Sequence, residues 1–354
     1  MVGIELAERG WLPEVAVRLG IRRVIEGRLR QESARFRDRE GALRGWIEEL
    51  RQSEVAPVPA RANDQHYEVP VRFFEAALGP NLKYSAALWA PGTTELAEAE
   101  AAMLRLTCER ADLQDGQRIL ELGCGWGSLT LWMAAHFPHA RVTAVSNARS
   151  QREFILARAR DRGLTNVEVV TADMNAFRPV GIFDRVVSVE MFEHMRNWPE
   201  LVARIHGWLA PFGALFVHVF AHRSFAYPFV DASGDDWMAR HFFTGGMMPS
   251  DDLLPRVRGP FRLEGHWVVP GSHYARTAEA WHARLRANRA AAQAALEAAL
   301  SPAEAARQVR RWRIFFLSCA ELFGFASGAE WFVSHYRLRA GGDRASRARA
   351  AATP

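Results

Sequence analysis

Arg118-Ile119-Leu120-Glu121-Leu122-Gly123-Cys124-Gly125-Trp126-Gly127-Ser128 decides how the rest of this 354-residue chain is read. Arg118–Leu122 reads as a strand, three glycines follow at alternate positions, and Ser128–Phe137 has helical composition. Glycines there permit a tight strand-to-helix turn and remove side chains that would hold a ligand off the backbone. The alternation continues outward. Arg141–Val145, Val167–Thr171, Arg185–Val189 and Ala214–Phe220 read as strands, with helices Ser150–Arg162 and Pro199–Leu209 among them. This order predicts a doubly wound α/β fold, a mostly parallel sheet covered by helices on both faces. Ligands of such sheets sit beyond the carboxyl ends of the strands, near the switch in strand order.

Around this core the chain divides by composition. Ile4 to Gln52 places apolar and charged residues at helical spacing, and Ser53–Asn63, with Pro57 and Pro59, breaks it. Residues 1–63 therefore read as a helical extension and linker. The extension is expected to cap the core, the alternative being a membrane-surface or dimerisation helix. The main domain is expected over 64–338. Within it, 222–260 is rich in aromatic, Gly, Met and acidic residues and reads as a lid or substrate insertion. His266–Val269 and Trp331–Arg337 read as strands, and Ala278–Leu300 and Pro302–Phe316 as helices. The Arg/Ala/Gly-rich 339–354 reads as a disordered tail.

Hydrophobic content of 49% and charged content of 24% are those of an ordinary globular protein. The net charge of +5 is almost all arginine, Lys83 being the only lysine. No nucleic-acid module or aromatic stacking motif accompanies it, so nucleic acid is not an expected partner. Cys108, Cys124 and Cys319 are scattered and form neither a metal cluster nor a disulfide framework. With no bilayer-length apolar run and no signal-peptide pattern, a cytoplasmic location is expected.

The G-x-G-x-G spacing behind Glu121 departs from the dinucleotide-binding G-x-G-x-x-G and fits the version used by S-adenosylmethionine-dependent methyltransferases. On that reading Gly123 and Gly125 admit the cofactor, and Glu121 helps hold its α-ammonium group. The second strand ends without an acidic residue, so the amides of Asn147 and Gln151 are the candidates for the ribose hydroxyls. Asp173 is placed to accept from the adenine amino group, with Met174 against the ring. Asp173 also suits a turn-starting residue, and the sequence does not separate the two.

With Tyr84-Ser85, the glycine stretch, Ser146-Asn147 with Gln151, and Val189-Glu190-Met191-Phe192-Glu193-His194-Met195 quoted, the chain resembles the cyclopropane-fatty-acid synthase family of methyltransferases. Within it the resemblance is to the amine-methylating, coclaurine N-methyltransferase-like branch, supported by Asp235-Asp236-Trp237, His266-Trp267 and Glu330-Trp331. It spans about Asp64 to Leu338. It implies a class I (Rossmann-like) fold, S-adenosylmethionine as cofactor, Tyr84 and Ser85 closing over that cofactor, and a homodimer.

The resemblance also implies that Glu190, Glu193 and His194 act on a substrate nitrogen. Spaced three and four apart, they are expected to share one helical turn. An alkylammonium must lose a proton before its nitrogen can attack; His194 suits a general base, while the carboxylates attract and orient the cation. The plainer alternative is a helix cap or a solvated face. His218, Tyr227, Trp237, Phe242, Phe243 and Trp331 are candidates for an amine pocket, although such aromatics are more often core.

The expected activity is N-methylation of a small aromatic or cyclic amine, such as a tetrahydroisoquinoline-like compound. The first alternative is cyclopropanation or C-methylation of unsaturated phospholipid acyl chains, which would bring a membrane surface as partner. Lipid members of the family hold bicarbonate with Cys, Glu, His and Tyr. Here Cys124, Glu193 and His218 match three of these, while Ile314-Phe315-Phe316-Leu317 leaves the Tyr missing, and Glu190 replaces a usual glycine. Cys319, near a cysteine often marked in those members, reads as a buried helix residue. The second alternative is a non-catalytic cofactor-binding module. No metal is expected.

Overall fold

The computed structural model describes residues 2–58, 69–229 and 236–341. Its strands are β1 (Arg118–Leu122), β2 (Arg141–Ser146), β3 (Val167–Thr171), β4 (Phe183–Val189), β5 (Leu209–His222), β6 (Tyr227–Pro228), β7 (Met247–Met248), β8 (Arg262–Val269) and β9 (Trp331–Arg339). All but β6 and β7 form one seven-stranded sheet in the order β3-β2-β1-β4-β5-β9-β8. The first five run parallel, and β9 is antiparallel to both β5 and β8. Strand order reverses between β1 and β4, so their carboxyl ends open the crevice where such folds take ligands. The expected doubly wound architecture is the observed one.

The strands form where apolar residues run nearly unbroken, as buried strands of a parallel sheet require. Ile119, Leu120, Val186, Val187, Leu215 and Val217 are all buried. β5 starts five residues earlier than its apolar run suggests, at Leu209 rather than Ala214. Its pairing with β4 jumps from Phe183↔Leu209 to Arg185↔Ala214, and the extra residues bulge around Phe212, which has φ +59°. The expected helix over Ala278–Leu300 is two helices, Gly271–Ala287 and Arg289–Leu296. They break at Asn288, whose Nδ2 donates to the Ala76 carbonyl at 2.9 Å.

The N-terminal stretch is three helices, Val2–Arg9, Glu14–Arg35 and Arg39–Arg51. Gly10, Pro13 and Asp38 mark the breaks; the Asp38 side chain caps the third helix by accepting from Gly41 N. The first two pack on helix Pro302–Gly324, and the third on helix Trp198–Trp208. No helix among the described residues is long and apolar enough to cross a membrane. After β5, the described part of 222–260 holds the two-residue antiparallel ladder of β6 and β7, and helices Trp237–His241 and Leu253–Val257. Residues 59–63 of the expected linker, Asp235 and residues 342–354 of the expected tail lie outside the described residues.

Glu8 ties the first helix down. Its carboxylate is buried and accepts from Arg307 Nε at 2.7 Å and Trp237 Nε1 at 2.7 Å, with Arg311 Nη2 at 3.1 Å. Burial works against its ionisation, but the hydrogen bonds from Arg311, Trp237 and Arg307 outweigh it and hold the carboxyl at about 2. Replacing Glu8 by Gln is expected to cost on the order of 2 kcal/mol near neutral pH. Because the folded carboxyl titrates below the unfolded one, the gap is full above the ordinary carboxylate range and is lost as pH falls from about 4.5 to about 2. Denaturant melts of wild type and Glu8→Gln across that range check it; a gap that ignores pH contradicts it.

Candidate active site

The glycine turn is built by hooking the end of β1 over β2: Gly123 N and Cys124 N both donate to the Val145 carbonyl, at 3.0 and 2.9 Å. Gly123 and Gly125 have φ +77° and +51°. A Cβ on Gly123 would stand 2.7 Å from the Met191 Cβ, whereas one on Gly125 would meet nothing within 4 Å. Two cavities meet at this turn and share Gly123, Gly125, Gln151 and His194. One is lined by Asn147, Asp173, Met174 and Val58, the other by Tyr84, Ser85, Glu121, Glu190, Glu193 and Tyr274, among others.

All nine residues expected at a cofactor line one cavity or both. Glu121 is buried and accepts from Thr130 Oγ1 at 2.5 Å, and burial pushes its carboxyl up to about 8. Gln151 Oε1 accepts from Ser146 Oγ at 2.6 Å, while its buried Nε2 has no hydrogen-bond partner among the described residues. Asp173 does start a turn, accepting from Asn175 N at 2.8 Å, and still faces the cavity. The turn is thus observed, and the place on the cavity leaves the adenine reading open to proposal.

Glu190, Glu193 and His194 line the same cavity, but not from one helical turn. Glu190 follows β4 in the left-handed region, with φ +47°, and Phe192–His194 is a separate 3₁₀ turn. The Glu190 side chain is 8% exposed, and both its oxygens are engaged. Oε1 accepts from Ala86 N at 2.9 Å and lies 3.2 Å from His218 Nε2, and Oε2 accepts from Tyr274 OH at 2.6 Å. Burial raises its carboxyl above the usual range, against the pull of Lys83 and of the hydrogen bonds from Tyr274 and Ala86. Lys83 is itself buried, donates to the Ala86 carbonyl at 2.8 Å and is pushed down to about 8 by burial. Glu193 is the opposite case. Both its carboxyl oxygens are buried without a hydrogen-bond partner among the other described residues, and burial, then Glu190, drive its carboxyl well above the usual range. The His194 ring stacks on Phe243, centroids 5.5 Å apart and 6° between planes.

Of the six expected pocket residues only Phe243 lines either cavity. Tyr227 and Trp331 are buried and paired, Trp331 Nε1 donating to Tyr227 OH at 3.1 Å. Phe242 stacks on Phe315 at 4.2 Å within the core, and Trp237 is taken up by Glu8. His218 sits inside the sheet on β5, behind Glu190. A tyrosine does reach the cavity, though not from Ile314–Leu317. Tyr274 supplies a phenol to the cavity from the first turn of helix Gly271–Ala287, ahead of the helix start expected at Ala278. Phe220 and Phe315 complete the aromatic wall and were not anticipated.

The family model for mycolic acid cyclopropane synthetase matches residues 57–328. The (S)-coclaurine N-methyltransferase of Thalictrum flavum subsp. glaucum is 38% identical over 333 residues, 93% of this chain and 92% of its own. The chain belongs to the mycolic acid cyclopropane synthetase family. A crystal structure of coclaurine N-methyltransferase bound to N-methylheliamine and SAH matches with a TM-score of 0.90 at 35% identity, covering 94% of this chain and 97% of that one. The cyclopropane-fatty-acyl-phospholipid synthase of Escherichia coli (strain K12) is 29% identical over 261 residues, 73% of this chain and 62% of its own.

This family member is an S-adenosylmethionine-dependent methyltransferase. The site suits that cofactor: open space beside the Cβ-less Gly125, an unpartnered buried amide on Gln151 and a buried carboxyl on Glu121 all lie at the glycine turn. The two glycines are expected to fail differently. Gly123→Ala forces a β-carbon against Met191 and should cost about 2–3 kcal/mol of stability. Gly125→Ala should cost only about 1 kcal/mol but weaken S-adenosylhomocysteine binding about tenfold or more, because its methyl enters the cavity. Melts and titration calorimetry on both variants check this; tight binding by Gly125→Ala would contradict it.

Proposed function

We propose that this enzyme N-methylates a small aromatic or cyclic amine, of the tetrahydroisoquinoline kind. The observation that carries the reading is Glu193, a buried carboxyl with two unpartnered oxygens on a cavity walled by Phe220, Phe243, Phe315 and Tyr274. Leaving such a group without a partner costs a protein about 1–3 kcal/mol or more. An ammonium is the ligand that answers it, and aromatic faces favour the same cation.

The two carboxylates then divide the work. Glu190, held by three donors, is a fixed negative charge that orients the cation. Glu193 is the first acceptor of its proton. In a desolvated site a carboxyl titrates higher and an ammonium lower, so transfer between them costs less than in water. His194, stacked on Phe243, is the second acceptor, and imidazole is the side chain that ordinarily titrates near physiological pH. S-adenosylmethionine, when bound, supplies the electrophilic methyl group that the neutral amine attacks. The names of the Thalictrum and crystallised relatives support the amine, and a carboxylate at position 190 suits a cation better than a hydrocarbon.

Glu193→Gln and His194→Ala are expected to keep S-adenosylhomocysteine affinity while turnover falls about a hundredfold or more, the usual weight of a general base. Transfer of labelled methyl is measured on a panel of secondary and tertiary amines and, in parallel, on vesicles of unsaturated phospholipid. Label in amine alone supports the proposal. Label in acyl chains replaces it with the lipid activity, and cofactor binding without any transfer replaces it with a binding module.

A further inference from the structure

Behind Glu190 and its neighbour His218 lie two groups that the amine reading does not use, His335 and Arg110. His218 on β5 and His335 on β9 are direct partners in the antiparallel pairing, and both are buried. His218 Nδ1 lies 2.9 Å from His335 Nε2, and His335 Nδ1 lies 2.9 Å from Arg110 Nη1. Arg110 ends helix Leu96–Arg110, and its guanidinium lies over the Trp267 ring. The charged groups facing the pair are Lys83, Glu190 and Arg110, with Glu109 and Arg337 beside Arg110.

A guanidinium only donates, so His335 Nδ1 must carry the lone pair. A neutral His335 then holds its proton on Nε2 and donates to His218 Nδ1. His218 in turn must hold its proton on Nε2 and donate to Glu190 Oε1. The reverse direction would leave His335 accepting at both nitrogens, which is an imidazolate. Each link is fixed by the one before it, and the first is fixed by arginine.

We propose that Arg110 and His335 are positioning residues that lock the Nε2–H tautomer of His218 and so keep a hydrogen-bond donor on the Glu190 carboxylate. The row does not conduct protons, because arginine cannot give one up and stay a cation. It orients a charge instead. The proposal rests on Glu190 acting as the fixed anion of the amine site, but its primary readout does not need turnover.

Nitrogen-15 spectra of histidine-labelled wild-type enzyme are expected to show His218 and His335 as neutral Nε2–H tautomers between about pH 6 and 8. A cationic ring, or an Nδ1–H tautomer at either residue, overturns the assignment. In Arg110→Met the pair can reverse once Glu190 takes up a proton, its hydroxyl then donating to the lone pair on His218 Nε2. His218 should then show the Nδ1–H tautomer, and the acid limb of kcat/KM should move up by about one pH unit as the Glu190–His218 pair takes up a proton. Arg110→Lys, which keeps a donor-only cation, should restore both. An unchanged tautomer in Arg110→Met overturns the proposal; where that variant does not fold, the wild-type spectrum decides. If the methyl acceptor proves to be lipid while the tautomers stand, the amine reading fails and this one does not.

Discussion

A carboxylate cannot be taken out of water unless its oxygens are answered, and at Glu190 the answers come from three separate parts of the chain. Ala86 N belongs to the segment before the sheet, His218 to β5 and Tyr274 to a helix near the C-terminus. Charge-assisted hydrogen bonds of this kind contribute about 1.5–3 kcal/mol each, against a desolvation cost of several kcal/mol. None of the three alone would hold the charge. The mouth of the site is therefore assembled together, and the strained backbone of Glu190, with its N–H donating to the His218 carbonyl, is kept in place by the same partners.

Glu193 shows what the other arrangement does. It is three residues further on and buried too, yet no other described residue gives its oxygens a hydrogen bond. Two like charges so close would repel, and the Glu190 charge is the second cause raising Glu193. On the amine reading, that asymmetry is the chemistry: a permanent charge to hold a cation, and a titratable neighbour to take its proton.

The sheet was legible because its signals are local. Arg118–Leu122 and Val167–Thr171 fall where their residue types place them, and the glycine turn points to the cavity that β1 opens. The same locality explains the lining of the cofactor side, where Asn147, Gln151 and Asp173 each follow a strand end. Of the pocket aromatics, Phe243 was legible and the rest were not. Tyr227, Phe242 and Trp331 have the same composition as a cage, and only tertiary packing sends them to the core and Phe220 and Phe315 to the cavity. Tyr274 was hidden by a boundary: the helix that carries it starts at Gly271, with Pro270 at the N-cap position, well ahead of the expected Ala278. Arg110 and His335 lie 225 residues apart and meet only because β9 inserts beside β5.

Because β9 closes the sheet against β5 and places His335 behind His218, the orientation of the Glu190 site is set from the half of the sheet that lies beyond the cofactor turn. The aromatic wall has a different origin, in the insertion and the C-terminal helices, through Phe243, Phe315 and Tyr274. Charge and shape are thus supplied largely by different elements, which is how one fold can serve different acceptors. Changing Phe243 or Phe315 should alter which methyl acceptor fits without disturbing the anion, whereas removing the anion should leave a cavity of the same shape with no reason to prefer a cation.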